Sequence, residues 1–171
     1  MKKLNQILFS LLTFLIFSTL LNSAEKTILG NAKVIDGDTI KINKIKIRLF
    51  GIDAPEKKQI CQKIYLSFII FNFQKDYRCG EESSLALLKK LQGKKVKCIL
   101  ENNKDKYKRY IGTCYIQKQD INGWLVKNGY AVAYRKYSKR YVLQEQYAKK
   151  NKLGLWRGNF LEPEKWRRIM N

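Results

Sequence analysis

Val34-Ile35-Asp36-Gly37-Asp38-Thr39 and Arg48-Leu49-Phe50-Gly51-Ile52-Asp53-Ala54-Pro55-Glu56 frame the segment from which the fold can be read. Between them Ile40 and Ile42 alternate with Lys41 and Asn43, and Ile45, Ile47 and Leu49 alternate with Lys46, Arg48 and Phe50. That period of two belongs to half-buried strands, so two strands are predicted, with Asn43-Lys44 as the tight turn between them. Asp38 begins the first strand and Asp53 follows the second, so the hairpin brings two carboxylates together that are distant in sequence. Gly37 is expected to take a positive φ beside Asp38, and Pro55 to stiffen the turn that aims Glu56. Taken alone, Asp-Gly-Asp-Thr also reads as an ordinary acidic turn. The second motif at hairpin distance is what makes it a candidate site.

The chain of 171 residues opens with Lys2-Lys3, the uncharged and mostly apolar run Ile7–Leu21, and Asn22-Ser23-Ala24 ahead of Glu25-Lys26. The run is short against the ~20 residues of a spanning helix and suits the core of a signal peptide. Residues 1–24 are therefore expected to be a leader cleaved after Ala24, with an uncleaved anchor as the alternative because Asn22 is large for a cleavage site. Export to periplasm or medium follows, with 25–171 as a single domain expected to be monomeric. The whole chain carries 35 Lys and Arg against 14 Asp and Glu, a formal net charge of +21, and every acid lies beyond the leader. Self-repulsion on that scale points to a polyanionic partner, nucleic acid or an anionic membrane. There is no histidine, which excludes imidazole bases, Ser-His-Asp triads and His-bound zinc.

Four cysteines behind a leader read as two disulfides. Three pairings are open until strands Lys94–Glu101 and Arg109–Gln117 are placed around a polar turn centred on Lys106. That register sets Cys98 opposite Cys114 and leaves Cys61 for Cys79. A zinc site is the competing use, disfavoured by the lack of Cys-x-x-Cys and of histidine.

Along the chain, three strands are predicted from Lys26 to Ile52, the first broken or bulged at Gly30-Asn31. Residues 57–79 read as an insertion clipped by Cys61 and Cys79, with the apolar run Ile64–Phe73 at its centre. It is expected to be a hairpin or helix packed on the body, the alternative being an exposed flap for membrane or a partner. Glu81–Leu91 is a predicted helix with Leu85, Leu88 and Leu91, and Leu87 beside them, as its core stripe and Gly93 as its stop. Helices are also predicted at Asn122–Asn128 and Ser138–Leu153, ending at Gly129 and Gly154, the longer one with Tyr141, Gln144, Tyr147 and Ala148 on one side. The basic tail Leu161–Asn171, containing Trp166, is expected to dock on the body.

A phosphodiester in a basic cleft needs an activated water and stabilisation of charge on its oxygens. Asp38 and Asp53 offer the hard oxygens calcium prefers, which a carbonyl at Ala54 and waters would complete. Glu56 is then the acid left for the water, and Arg48 and Arg109 are cations able to bind phosphate in bidentate fashion. The plainer alternative makes Arg48 and Asp53 a surface ion pair.

The two opening motifs, together with Asp105-Lys106-Tyr107-Lys108-Arg109, Asn122-Gly123-Trp124-Leu125-Val126, Gly129-Tyr130-Ala131 and Gly154-Leu155-Trp156, resemble the thermonuclease (staphylococcal nuclease) family. The resemblance covers nearly the whole chain after the leader. It implies a five-stranded Greek-key β-barrel of the oligonucleotide-binding (OB) fold with about three α-helices. It implies a secreted, calcium-dependent nuclease that hydrolyses DNA and RNA with little sequence preference and leaves 3′-phosphate ends. In such a protein Arg48, Glu56 and Arg109 are catalytic, Asp38, Asp53 and the Ala54 carbonyl hold Ca2+, and Lys106, Tyr107 and Tyr134 contact nucleotide. Ala54 stands where some relatives have threonine, and Lys108 replaces a glycine usual before the last arginine, so the loop aiming Arg109 is expected to be reshaped. The rival functions are a non-catalytic nucleic-acid-binding barrel and a cationic envelope-binding protein that uses Ile64–Phe73.

Overall fold

A computed structural model of the protein describes residues 25–68 and 71–170, with the side chains of 67, 68, 71 and 72 outside that description. The expected leader falls on residues outside it.

Strand β1 (Lys26–Asp36) pairs antiparallel with β7 (Lys95–Lys104) through its first half and with β2 (Thr39–Ile42) through its second. Gly30-Asn31 is where the partner changes, and the strand runs through it unbroken; the irregularity of the ladder lies instead between Val34 and Asp36. A Cβ at Gly30 would stand 2.7 Å from Ile42 Cγ2, so the glycine lets β1 bend across β2. β2 and β3 (Ile45–Leu49) pair with Ile42 opposite Ile45, so Asn43-Lys44 is the two-residue turn the alternation predicts. β7 and β8 (Tyr110–Ile116) pair with Cys98 opposite Cys114, and the two are disulfide-bonded. The bulge that the polar tip imposes comes only beyond Leu100.

Parallel pairing of β3 with β8 closes these five strands into a barrel of the OB fold, and β9 (Gln119–Asp120) adds a sixth strand beside β8. Ile40, Ile42, Ile47, Leu49, Val96 and Leu125 fill it. β4 (Ile52–Asp53) pairs with β10 (Val132–Ala133) at the barrel's mouth.

The insertion is a hairpin, β5 (Cys61–Phe68) with β6 (Phe71–Tyr77), clipped by the Cys61–Cys79 disulfide. Its base is tied to the body by Gln62 N donating to Asn159 O at 2.8 Å and by the Arg157 guanidinium over the Tyr77 ring. Farther out, Ile64, Tyr65, Leu66 and Phe73 are exposed.

Four helices follow: α1 (Cys79–Leu91), α2 (Ile121–Lys127), α3 (Val142–Lys150) and α4 (Pro163–Met170). The expected stripe on α1 is corrected at two of its four leucines. Leu87 and Leu91 are buried with Ser83, four-residue steps on one face, whereas Leu85 and Leu88 are each 48% exposed on its flank. α3 is shorter than expected because Ser138 and Lys139 are irregular, Arg140–Tyr141 form a turn with Arg140 N donating to Ser138 Oγ, and Lys152 takes φ +51°. Its inner face is Tyr141, Glu145 and Ala148, while Tyr147 is exposed. Glu145 turns inward because Ala133 N donates to it at 3.0 Å and Arg135 pairs with it. The tail, expected only to dock, forms helix α4.

Candidate active site

Asp38 sits at the β1–β2 turn and is nearly buried. Its Oδ1 accepts from Thr39 Oγ1 at 3.2 Å and its Oδ2 from Ala54 N at 2.8 Å, so the acid is locked to the segment that carries Asp53. Gly37 makes this possible in a way other than expected. Its φ is not positive; a Cβ there would lie 2.3 Å from Ser83 Oγ and 2.8 Å from Ala54 Cβ, so what matters is close approach.

Arg48 stands on β3 opposite Thr39 of β2 and beside Ile111 of β8. Its Nη2 donates to Asp53 Oδ1 at 2.8 Å and its Nη1 pairs with Asp38 Oδ2. The Arg48–Asp53 pair therefore exists, but inside: the Asp53 side chain is 1% exposed and that of Arg48 14%. Burial weighs against the guanidinium charge and pulls its pKa below the usual arginine value, with Asp53 opposing. One cation holds two carboxylates facing a common point.

Glu56 follows the Pro55 turn, whose shape is kept by buried Gln59: Gln59 N donates to Glu56 O at 2.7 Å and Gln59 Oε1 accepts from Glu56 N at 3.3 Å. The Glu56 side chain is 38% exposed, open to the cleft.

Arg109 arrives from the tip of the β7–β8 hairpin, aimed by Asp105. Asp105 Oδ1 accepts from the backbone N–H of Tyr107 and of Arg109, each at 2.9 Å, and Oδ2 accepts from Arg109 Nε at 2.7 Å. Burial works against the charge of Asp105, but the bonds from Arg109 outweigh it and hold its pKa below the ordinary carboxylate value. The expected reshaping at Lys108 is not seen as a loss of this aim. Lys108 takes φ +61°, the left-handed conformation a glycine would occupy, and Asp105 still closes the turn. A non-glycine residue there costs roughly 1–2 kcal/mol. Arg109 Nη1 then donates to Thr39 Oγ1 at 3.0 Å, joining hairpin tip to Asp38.

These side chains border one cleft of about 1060 Å³, in which Asp38, Ala54, Arg48, Glu56 and Arg109 meet Lys106, Tyr107 and Tyr134. Asp53 lies buried behind them. Tyr107 is exposed, with the Arg109 guanidinium 5.3 Å from its ring centroid, and Tyr134 packs edge-on against Tyr137 at 4.8 Å.

Residues 46–158 match the family described as staphylococcal nuclease homologue. The chain belongs to that family. A succinoglycan biosynthesis protein, ExoI of Rhizobium meliloti (strain 1021), is 38% identical over 136 residues, spanning 78% of this chain and 67% of its own. An uncharacterized endonuclease of Haemophilus influenzae is 37% identical over 154 residues, 85% of this chain and 76% of that one. Micrococcal nuclease of Shigella flexneri is 32% identical over 154 residues, 80% and 78% respectively. The protein is thus a nuclease, a hydrolase acting on nucleic acid.

For this staphylococcal nuclease homologue, calcium is tested by the donor set. Among the described residues no three His, Cys, Asp or Glu side chains gather as a metal cage. Two carboxylates, Asp38 and Asp53, do converge on one cationic group, and hard anionic oxygens sharing a cation suit calcium's preference when a carbonyl and waters complete the shell.

Three further residues, with no role assignable from sequence, hold the site together. Asp105 and Asn122 lie in motifs of the family resemblance, and the spacing of Asp105 to Arg109 fits a closed turn. Asn122, fully buried, donates to Phe50 O and Gly112 O and accepts from Cys114 N, tying β8 to the segment that leads to Asp53. Arg167 of α4 donates from Nη1 to Asp53 Oδ1 at 3.0 Å and Glu56 Oε1 at 2.9 Å, and from Nη2 to Asp53 Oδ2 at 2.9 Å. Only the basic character of the tail signalled it.

Proposed function

We propose that this nuclease is exported and, with calcium bound, hydrolyses phosphodiester bonds of DNA and RNA with little sequence preference, leaving 3′-phosphate ends. The observation that carries this reading is the convergence of Glu56, Arg48 and Arg109 from three separate segments on one cleft, in a chain of net charge +21. Glu56, the exposed acid, orients the attacking water and accepts its proton. Arg48 and Arg109 neutralise charge that grows on the non-bridging phosphate oxygens as the bond to the 5′-oxygen breaks. Lys106 holds a neighbouring phosphate, and Tyr107 and Tyr134 offer aromatic faces to bases. Asp38, Asp53 and the carbonyl of Ala54 would hold the calcium, which supplies further positive charge beside the phosphate when bound. Export is supported by Lys2-Lys3 with the apolar run Ile7–Leu21 and by two disulfides, bonds that persist in oxidising compartments.

Cleavage of single-stranded DNA and RNA, measured with calcium, with magnesium and with chelator, tests the metal. Glu56→Gln tests the chemistry. The expected outcome is a loss of cleavage on the order of 10²-fold or more with nucleic-acid binding retained. A Glu56→Gln enzyme cutting at full rate would remove the role assigned to Glu56, and tight binding without cutting under any metal would favour a binding module.

A further inference from the structure

We propose that Arg167 is a built-in competitor of the divalent cation: helix α4 parks a guanidinium on Asp53 and Glu56, and the cation must displace it to reach Asp53. The proposal rests on the calcium reading above, but its new member, Arg167, lies beyond the matched family region, which ends at residue 158. Three charge-assisted bonds from one side chain grip Asp53 at both oxygens and Glu56 at one. With Arg48 on Asp53 Oδ1 as well, every oxygen of that carboxylate is held by guanidinium N–H groups. A metal ion needs the same lone pairs, and two cations cannot share them without repulsion. Burial works against the Arg167 charge, but the bonds and charge of Asp53 and Glu56 outweigh it and raise its pKa.

The helix that carries Arg167 is built to let go. Pro163 is its one buried residue among those described; Glu164, Trp166 and Arg167 are half-buried along the cleft, and Lys165, Arg168, Ile169 and Met170 are exposed. Its approach is fixed by Gln59 Nε2 donating to Leu161 O at 2.6 Å, and Glu164 adds only a 3.6 Å pair with Lys136, whose side chain is 59% exposed. An element with so little buried area opens at small free-energy cost. Release of the arginine would uncover Glu56 in the same step that fills the cation position.

Calcium affinity of the full chain, measured by titration calorimetry without nucleic acid, tests the competition. Arg167→Gln is expected to bind calcium about tenfold tighter than the parent, the bonds no longer having to be given up. Arg168→Gln, which removes the same charge from the same helix but pairs only with Glu164, should move the affinity far less. Amide exchange across residues 163–170 should quicken when calcium is added to the parent. Unchanged or weaker affinity in Arg167→Gln, an equal gain in Arg168→Gln, or calcium binding that leaves α4 protection unaltered would each overturn the competition while leaving the calcium reading intact. Absence of calcium binding in both parent and Arg167→Gln would overturn that reading and the competition with it.

Discussion

Asp105 touches no carboxylate of the cleft, yet it sets where Arg109 points through two backbone bonds and one side-chain bond. Asp105→Asn removes the charge and one of the acceptors, so cleavage is expected to fall about tenfold or more while binding changes less, a split that steady-state kinetics reads directly. Because the folded Asp105 has a pKa below the 3.8 of an unperturbed aspartate, the unfolded chain takes up its proton first as the medium is acidified. The stability it contributes is complete above about pH 4 and is lost as pH falls through the lower folded value. Acid titration followed by circular dichroism should show that component in the parent and not in Asp105→Asn. At the same scale the sequence was partly readable: Asp38, Arg48, Asp53 and Glu56 could be placed by a hairpin of known period. The role of Gly37 could not, because it depends on Ser83 of another element pressing against it.

The elements that were legible are those whose pairing is local. The β2–β3 turn and the Cys98–Cys114 register follow from alternation and the centre of a short loop, both visible within a few residues. Parallel contact of β3 with β8, and the arrival of α4 on Asp53 across 114 residues of sequence, join parts whose local patterns carry no mark of each other. The Leu85–Leu88 stripe misled because three-residue steps drift off a face that repeats every 3.6 residues. The two disulfides separate in effect by what they clamp. Cys61–Cys79 closes a loop of 18 residues and holds the base of the β5–β6 hairpin, outside the set of elements bearing Arg48, Glu56 and Arg109. Replacing both cysteines with serine should cost roughly 3 kcal/mol in denaturant unfolding and leave the rate constant of cleavage near the parent's. A large fall in rate at full folding would show that the hairpin reaches into the cleft.

For the whole molecule the governing quantity is the charge of +21. Binding of single strands by Glu56→Gln, followed by fluorescence anisotropy, should weaken linearly in log salt with a slope of roughly −0.7 per phosphate contacted. Arg48, Arg109 and Lys106 together call for a slope of about −2 or steeper. A flat response would mean that aromatic contacts alone hold the strand. Arg167 stands 111 residues after Glu56 along the polypeptide. Every segment bordering the cleft through Tyr137 precedes α4, so a chain emerging amino end first has made its three catalytic candidates before the covering arginine exists. Until α4 is made, Arg48 alone of the two guanidinium groups is there to hold Asp53 and Arg167 is not yet there to grip Glu56, so a nascent chain meets divalent cations before it carries their rival.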